Sequence, residues 1–483
     1  MNSATFFWHD YETWGIHPAQ DRPAQFAGVR TDAQLNVVGK PVLLYCSPTP
    51  DYLPSVEACL VTGITPQEAL EKGMSEAAFI ARIHAEMAQP NTCTVGYNSI
   101  RFDDEFTRNI LFRNFYDPYA REWQNGNSRW DLIDVARLCY ALRPEGVQWP
   151  VREDGAVSFK LEELTAANDI EHEGAHDALS DVYATIEFAR LLRKAQPKLF
   201  EYALGLRHKN TVQKLLDVHK QVPVVHVSGR VHASRHCAGF VMPLLPHPSN
   251  KNSVIVFDLY QDPSELLRLS AEEIRTLMFT RTEDLPEGVE RPAVREVRVN
   301  RSPMVAPASV VDEHTAERLG WDLALFRERW RMLRNDPHLR GKLLEVFSQS
   351  PFAEGGDENL DPELSLYSGP FFSPQDQQLR RQVTQTDGPS LATLQLPFED
   401  DRLPELLWRY RCRNFPQTLS AQEKEDWYAF CRAQLTHPEG RNISGLRREL
   451  AQRSLAANSA EERHLYSELI DYINSVAKEV GLA

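Results

Sequence analysis

The sequence predicts an α/β domain built on a mixed sheet flanked by helices. A small barrel-like β domain with helical additions follows, and then a mostly α-helical C-terminal domain. Three observations carry this expectation. An aromatic opening run at residues 5–13 is followed by β-rich runs that alternate with helical patterns up to about residue 195. Short β-like runs recur from 222 to 305. Beyond a linker-like stretch at 348–361, helical spacing dominates. A chain of 483 residues is too long for one core and fits about two to four domains. The divisions read from the sequence are 1–196, 197–350 and 355–483.

Each element has its own signal. Thr5–Thr13 is apolar and aromatic up to two acids and reads as a buried first strand. Gln25–Arg30 and Val37–Cys46 are β-rich runs across a polar turn, a hairpin pattern. Thr65-Pro66-Gln67-Glu68 places Thr at the N-cap, Pro at N1 and Glu at N3 of a helix. That helix runs on through Phe79, Ile80, Ile83 and Met87, with a break near Gly73. Thr92–Tyr97 is a short strand, and Phe102–Phe115 and Trp130–Leu142 read as helices. Ala178–Lys194 puts Val182, Ile186, Ala189 and Leu192 on one helical face. The middle region offers strands at Val222–Val227, Gly239–Leu244, Ser253–Leu259 and Val294–Val299, with helical pieces at Ser270–Thr280 and 312–348. In the last region Leu406–Cys412, Ala421–Leu435 and Ser459–Ala477 are the clearest helices.

Composition narrows the function classes. No apolar stretch approaches the roughly 20 residues that span a bilayer, so no membrane role is expected. No basic segment precedes an apolar one at the N-terminus, so no secretion signal is expected. The seven cysteines (46, 59, 93, 139, 237, 412, 431) form no C-x-x-C pair. That argues against both a zinc site and a disulfide framework, and it fits a reducing cytoplasm. The net charge of −15 opposes a nucleic-acid partner only on average. Residues 201–251 hold seven Lys/Arg and six His against two Asp/Glu, which suits either a solvated basic surface or a phosphate-binding one.

Asp10 and Glu12 stand two residues apart on the first strand, so both side chains leave the same face. Like charges that close raise each other's pKa unless something positive intervenes, and a divalent ion with a taste for hard oxygens is the simplest remedy. Asp103 follows a strand at a helix start. His176 and Asp181 lie in Ala175-His176-Asp177-Ala178-Leu179-Ser180-Asp181, at a loop lip and within the next helix. Taken singly, each has a plainer reading: a strand-end acid, a helix N-terminal acid, a capping histidine, a solvated helix residue.

Taken in order, the set resembles the DEDD superfamily of 3′→5′ exonucleases, in the subtype whose last motif places a histidine five residues before the final Asp. Phe7-Trp8-His9-Asp10-Tyr11-Glu12-Thr13, Asp21-Arg22-Pro23-Ala24-Gln25-Phe26, Val61-Thr62-Gly63-Ile64-Thr65-Pro66, Asn114-Phe115-Tyr116-Asp117-Pro118-Tyr119 and Ser128-Arg129-Trp130-Asp131 resemble the bacterial exodeoxyribonuclease I family. His226-Val227-Ser228-Gly229 and Tyr410-Arg411-Cys412-Arg413-Asn414-Phe415-Pro416 extend the likeness into the other two domains.

The resemblance implies a ribonuclease H-like exonuclease domain, an SH3-like domain and a helical C-terminal domain. It implies processive 3′→5′ hydrolysis of single-stranded DNA to 5′-mononucleotides, in DNA repair and recombination. Two Mg²⁺ ions, with Mn²⁺ as substitute, would be held by Asp10, Glu12, Asp103 and Asp181, with His176 as general base. Glu12 and Lys160 would touch the terminal nucleotide; Lys160 stands where the family is expected to carry Arg, which keeps the charge but loses the bidentate fork. Cations and rings interleave between 108 and 160, and Arg108, Tyr119, Trp123, Arg137, Arg143 and Phe159 are the candidates for phosphate contact and base stacking. The implied partner beyond DNA is the acidic tail of the single-stranded DNA-binding protein, and the implied state is a monomer. Two other readings stay open on the residues: an exoribonuclease of the same superfamily, and a catalytically inactive single-strand-binding scaffold.

Overall fold

The computed structural model describes residues 4–172, 177–348 and 361–482. The chain groups into two compact units. The first gathers residues up to 128, 172–183 and the whole C-terminal region from 359; the second holds 129–171 and 184–358.

In the first unit four strands lie in the order β3-β2-β1-β4. They are β1 (Thr5–Thr13), β2 (Pro23–Thr31), β3 (Val42–Tyr45) and β4 (Thr92–Gly96). β1 pairs antiparallel with β2 and parallel with β4, so the sheet is mixed as expected. Phe7 and Tyr11 of β1 pack with Phe26, Phe79 and Phe106, which explains the aromatic opening run. The expected helix break falls at Gly73, between helices Pro66–Lys72 and Glu76–Met87. A side chain there would meet the Ala69 carbonyl oxygen at 2.1 Å.

The C-terminal helices share a core with the start of the chain. Trp14, Leu53, Val56 and Cys59 are buried together with Trp427, Cys431, Leu450, Leu469 and Ile473. Chain order therefore does not mark this boundary in space. The helix Ile443–Ala456 went unread in the sequence because Ser444 and Gly445 interrupt its first turn.

One element needs correction. The expected helix Trp130–Leu142 begins as a strand, β5 (Ser128–Asp131), and turns helical only at Leu132. Asp131 accepts a hydrogen bond from the Ile133 N–H at 3.3 Å. It is therefore the N-cap, and Trp130 is left outside the helix.

The second unit carries an antiparallel sheet in the order β10-β6-β7-β8-β9. Its strands are β6 (Val224–Val227), β7 (Ala238–Pro246), β8 (Ser253–Asp258), β9 (Val294–Arg298) and β10 (Met304–Pro307). The first four match the expected runs; β10 is four residues long and ends in proline, too little pattern to read. The linker expected at 348–361 falls almost wholly outside the described residues. Among the described residues all seven cysteines are buried and none is in a disulfide, and no helix is long and apolar enough to cross a membrane.

β6 also sets a pH response. His226 is buried, and burial, aided by the Arg295 charge, lowers its pKa to about 4. The unfolded chain takes up this proton near pH 6.5, so its stabilising contribution is complete above that pH and drains away as pH falls toward 4. The loss amounts to about 2 kcal/mol at pH 5. Thermal melts of His226→Gln between pH 7 and 5 are expected to show a shallower fall than the wild type.

Candidate active site

β1 reaches beyond its parallel neighbour. Its pairing with β4 ends at Trp8↔Val95, so residues 10–13 lose a strand on that side. β4 closes at Gly96, where a Cβ would lie 2.6 Å from Ser99 Cβ and 2.9 Å from the His9 carbonyl oxygen. Only glycine lets the chain turn this tightly against β1. The turn delivers Asp103 to the first position of the helix Asp103–Arg113. The Tyr11 N–H, left without a strand partner there, donates to Asp103 Oδ1 at 3.1 Å.

The same β1 extension carries Asp10 and Glu12 on one face. Asp181, on the first turn of the helix Ala178–Ala195, meets them. Carboxylate oxygens of Asp10, Glu12 and Asp181 all lie within 4.8 Å of one another. The structure thus gathers residues that are 169 positions apart between Glu12 and Asp181. His176 lies outside the described residues.

Electrostatics single this cluster out. Burial raises the Asp10 carboxyl well above the usual range, and the charges of Asp103 and then Asp181 push the same way. Burial likewise pushes Glu12 up to about 9, with Asp10, Asp181 and Asp177 adding to it. Three hard-oxygen donors that resist ionising together form a charge-deficient cradle, and a divalent cation fits that donor set.

Two neighbours were not foreseen. His172 Nε2 lies 2.6 Å from Asp181 Oδ1. It stands four residues before His176 in the sequence, and that proximity was the available signal. Asp104, next to Asp103, is neutralised by Arg121 at 2.6 Å, with both side chains essentially inaccessible. This pair separates the two adjacent acids into one that is compensated and one that faces the cluster. Nothing in the spacing of Asp104 and Arg121 announces it.

The DNA-contact candidates divide between the units. In the first, Arg108 is 4% exposed, and its guanidinium is held by Glu122 at 2.7 and 2.8 Å and Glu105 at 2.9 Å. It also lies 5.2 Å from the Tyr119 ring centroid. This geometry makes Arg108 an internal brace for Tyr119. Trp123 is 66% exposed. In the second unit Arg137 pairs with Asp134 at 2.6 Å and lies over Phe159. Arg143 donates to the carbonyls of Leu142 and Val310. Lys160 is exposed, with Glu163 at 3.4 Å and Glu162 at 3.9 Å.

Known proteins match along the whole chain. An exonuclease family model covers residues 7–189, an Exonuclease I SH3-like domain model 207–349, and an Exonuclease I C-terminal domain model 360–476. The exodeoxyribonuclease I of Escherichia coli strain K12 is 48% identical over 437 residues, 90% of each chain. The structure of E. coli Exonuclease I in complex with a dA16 oligonucleotide superposes with a TM-score of 0.93 at 45% identity, covering 98% of this chain and 100% of that one. A zinc-bound complex of the E. coli enzyme with ssDNA (TM-score 0.92, 44% identity, 99% and 100% covered) and an SSB/Exonuclease I structure with an inhibitor (0.89, 44%, 98% and 100%) agree in fold. Three matched domains in the same order, with near-full-length identity, establish that the chain belongs to the exodeoxyribonuclease I family of phosphodiester hydrolases.

Proposed function

We propose that this protein is a metal-dependent 3′→5′ exonuclease that degrades single-stranded DNA processively to 5′-mononucleotides. The observation that carries this reading is the convergence of Asp10, Glu12 and Asp181 within 4.8 Å beside Asp103. The relatives support the substrate: the matched E. coli enzyme is bound to dA16 in one structure and to ssDNA and zinc in another.

Asp10, Glu12, Asp103 and Asp181 are the residues that would hold Mg²⁺. When bound, the metal supplies an activated water and stabilises the leaving oxygen. The chain's own contribution is to bring these acids together on rigid elements. Asp103 is fixed by the Tyr11 N–H, which sets its carboxylate against the strand bearing the other two. By the resemblance, His176 would be the general base that takes the proton of the attacking water. Lys160 is exposed and suits a phosphate of the terminal nucleotide.

The SSB/Exonuclease I structure supports an SSB partner. A place in DNA repair and recombination follows from the substrate.

The test uses 5′-labelled single-stranded DNA, duplex and RNA, each with Mg²⁺ or with chelator. Ladders shortened from the 3′ end are expected only for single-stranded DNA with metal. Equal degradation of RNA would overturn the substrate assignment. His176→Ala is expected to lower turnover by about 10²–10⁴-fold while Mg²⁺ still raises the melting temperature; near-native turnover would remove His176 from its role.

A further inference from the structure

The helix that begins with Asp103 has no side-chain cap at its N-terminus. Its position is set from outside, by the short turn Ala120–Glu122 in the same unit. Two consecutive residues of that turn grip the helix with opposite charge. Arg121 Nη2 donates to Asp104 Oδ1 at 2.6 Å. Glu122 accepts from Arg108 Nε and Nη2 at 2.7 and 2.8 Å. Asp104 and Arg108 are four residues apart and share one face of the helix. Two grips one turn apart fix a helix in depth and in rotation about its axis, which one grip does not. Arg121 is also tied to the sheet. Its Nη1 donates to Thr94 Oγ1 at 3.3 Å, and Thr94 lies on β4, the parallel neighbour of β1.

The grip on Asp104 is closed off from solvent: the side chains of Arg121 and Asp104 are 0% and 1% exposed. A buried pair of this kind is costly to desolvate and adds little stability over a packed apolar pair. What it supplies is direction, because a planar guanidinium accepts its partner in a fixed orientation. Successive helix residues point about 100° apart. With Asp104 held toward Arg121 and β4, Asp103 is turned toward β1, where the Tyr11 N–H donates to its Oδ1 at 3.1 Å. Without Arg121, Asp104 keeps a buried charge that has lost its cation. The relief open to it is a turn of the helix, which carries Asp103 away from Asp10, Glu12 and Asp181.

We propose that Arg121 is a positioning residue for the metal site: acting through Asp104, with Glu122 as the second point of the clamp, it fixes the rotation at which the helix presents Asp103 to the cation. The proposal rests on the metal-dependent reading of the acid cluster. Arg121 is inaccessible to solvent and so to any strand. Its effect therefore falls on the affinity for Mg²⁺. Partners that orient a metal ligand from behind are typically worth about 10–100-fold in metal affinity.

The test follows the melting temperature of the full chain over a Mg²⁺ concentration series without DNA, where the rise reports the dissociation constant. Arg121→Met is expected to melt lower in chelator and to need about 10–100-fold more Mg²⁺ for the same rise. A purely structural pair would also lower the melting point in chelator, but it would leave the Mg²⁺ requirement where it was. The double variant Arg121→Met with Asp104→Leu removes both charges, so no unpaired ion is left to unfold the protein. It is expected to keep the weakened Mg²⁺ response, because the anchor is still missing. Arg121→Lys, which keeps a cation beside Asp104, is expected to fall between wild type and Arg121→Met. A double variant with the wild-type Mg²⁺ requirement would overturn the proposal. The wild type separates this claim from the one beneath it. If Mg²⁺ neither stabilises it nor supports its hydrolysis of single-stranded DNA, the metal reading fails and the positioning role with it. A stabilised, active wild type beside unshifted variants refutes the positioning role alone.

Discussion

Replacing Asp10 with asparagine is expected to lower exonuclease turnover by at least about 10³-fold, since several kcal/mol of metal-borne stabilisation rest on the acid cluster. The same substitution is expected to raise the melting temperature of the metal-free protein at pH 8. Burial first, then Asp103 and Asp181, raise the Asp10 carboxyl well above its unfolded value. The folded state thus holds a proton that the unfolded state releases above about pH 4. Ionising conditions therefore cost stability, and the cost grows as pH rises from the unfolded value toward the folded one. Asparagine has no charge to lose, so its advantage should shrink as the pH is brought down toward 4. Mg²⁺ reverses the order, stabilising the wild type by mass action and the variant far less. Melts at pH 8 with and without Mg²⁺, beside a turnover assay, check both signs. An Asp10→Asn protein that is less stable in chelator than the wild type would contradict the like-charge account of the cluster.

Glu363→Ala is expected to destabilise the protein by about 3–5 kcal/mol, the usual consequence of stripping one partner from a buried ionic group. Glu363 is 8% exposed and bonds Arg413 and, at 2.9 Å, Arg22. Arg413 also binds Asp51 at 2.8 and 3.0 Å, and Arg409 binds Asp361 at 2.8 Å. Three arginines thus face three acids across chain segments more than 300 residues apart, both within the first unit. Burial alone would push the Glu363 carboxyl up, but the Arg413 and Arg22 charges overcome it and hold it well below the usual range. Removing it takes from Arg22 its 2.9 Å partner and leaves the buried Arg413 with Asp51. Chemical denaturation should report a lower midpoint with an unchanged slope. The double variant with Arg413→Met is expected to recover part of the loss, because the surplus charge leaves with its partner. A Glu363→Ala midpoint equal to the wild type would make the cluster ornamental.

These two clusters differ in how far the sequence exposed them. Asp10 and Glu12 were legible because a strand's period of two fixes their common face without any tertiary contact. Asp103 and Asp181 were legible through their order and through the helix starts that carry them. The ionic cluster was not legible, because Arg22, Asp51, Glu363 and Arg413 each look like ordinary surface charges in sequence. Arg108 shows the limit from the other side: a cation among aromatics reads as a phosphate contact, yet Glu105 and Glu122 claim it.

Local pattern by itself determined the first strand and its two acids, most of the second sheet's strands, the helix break at Gly73 and the helical character of the C-terminal region. Periodicity and capping act over a few residues, and the sequence displays them directly. The tertiary structure alone decided that the C-terminal helices complete the core of the first unit and that Arg121 neutralises Asp104 while Asp103 turns to β1. Each of those outcomes depends on which distant side chains share a desolvated volume, and burial, unlike periodicity, is a property of the folded chain.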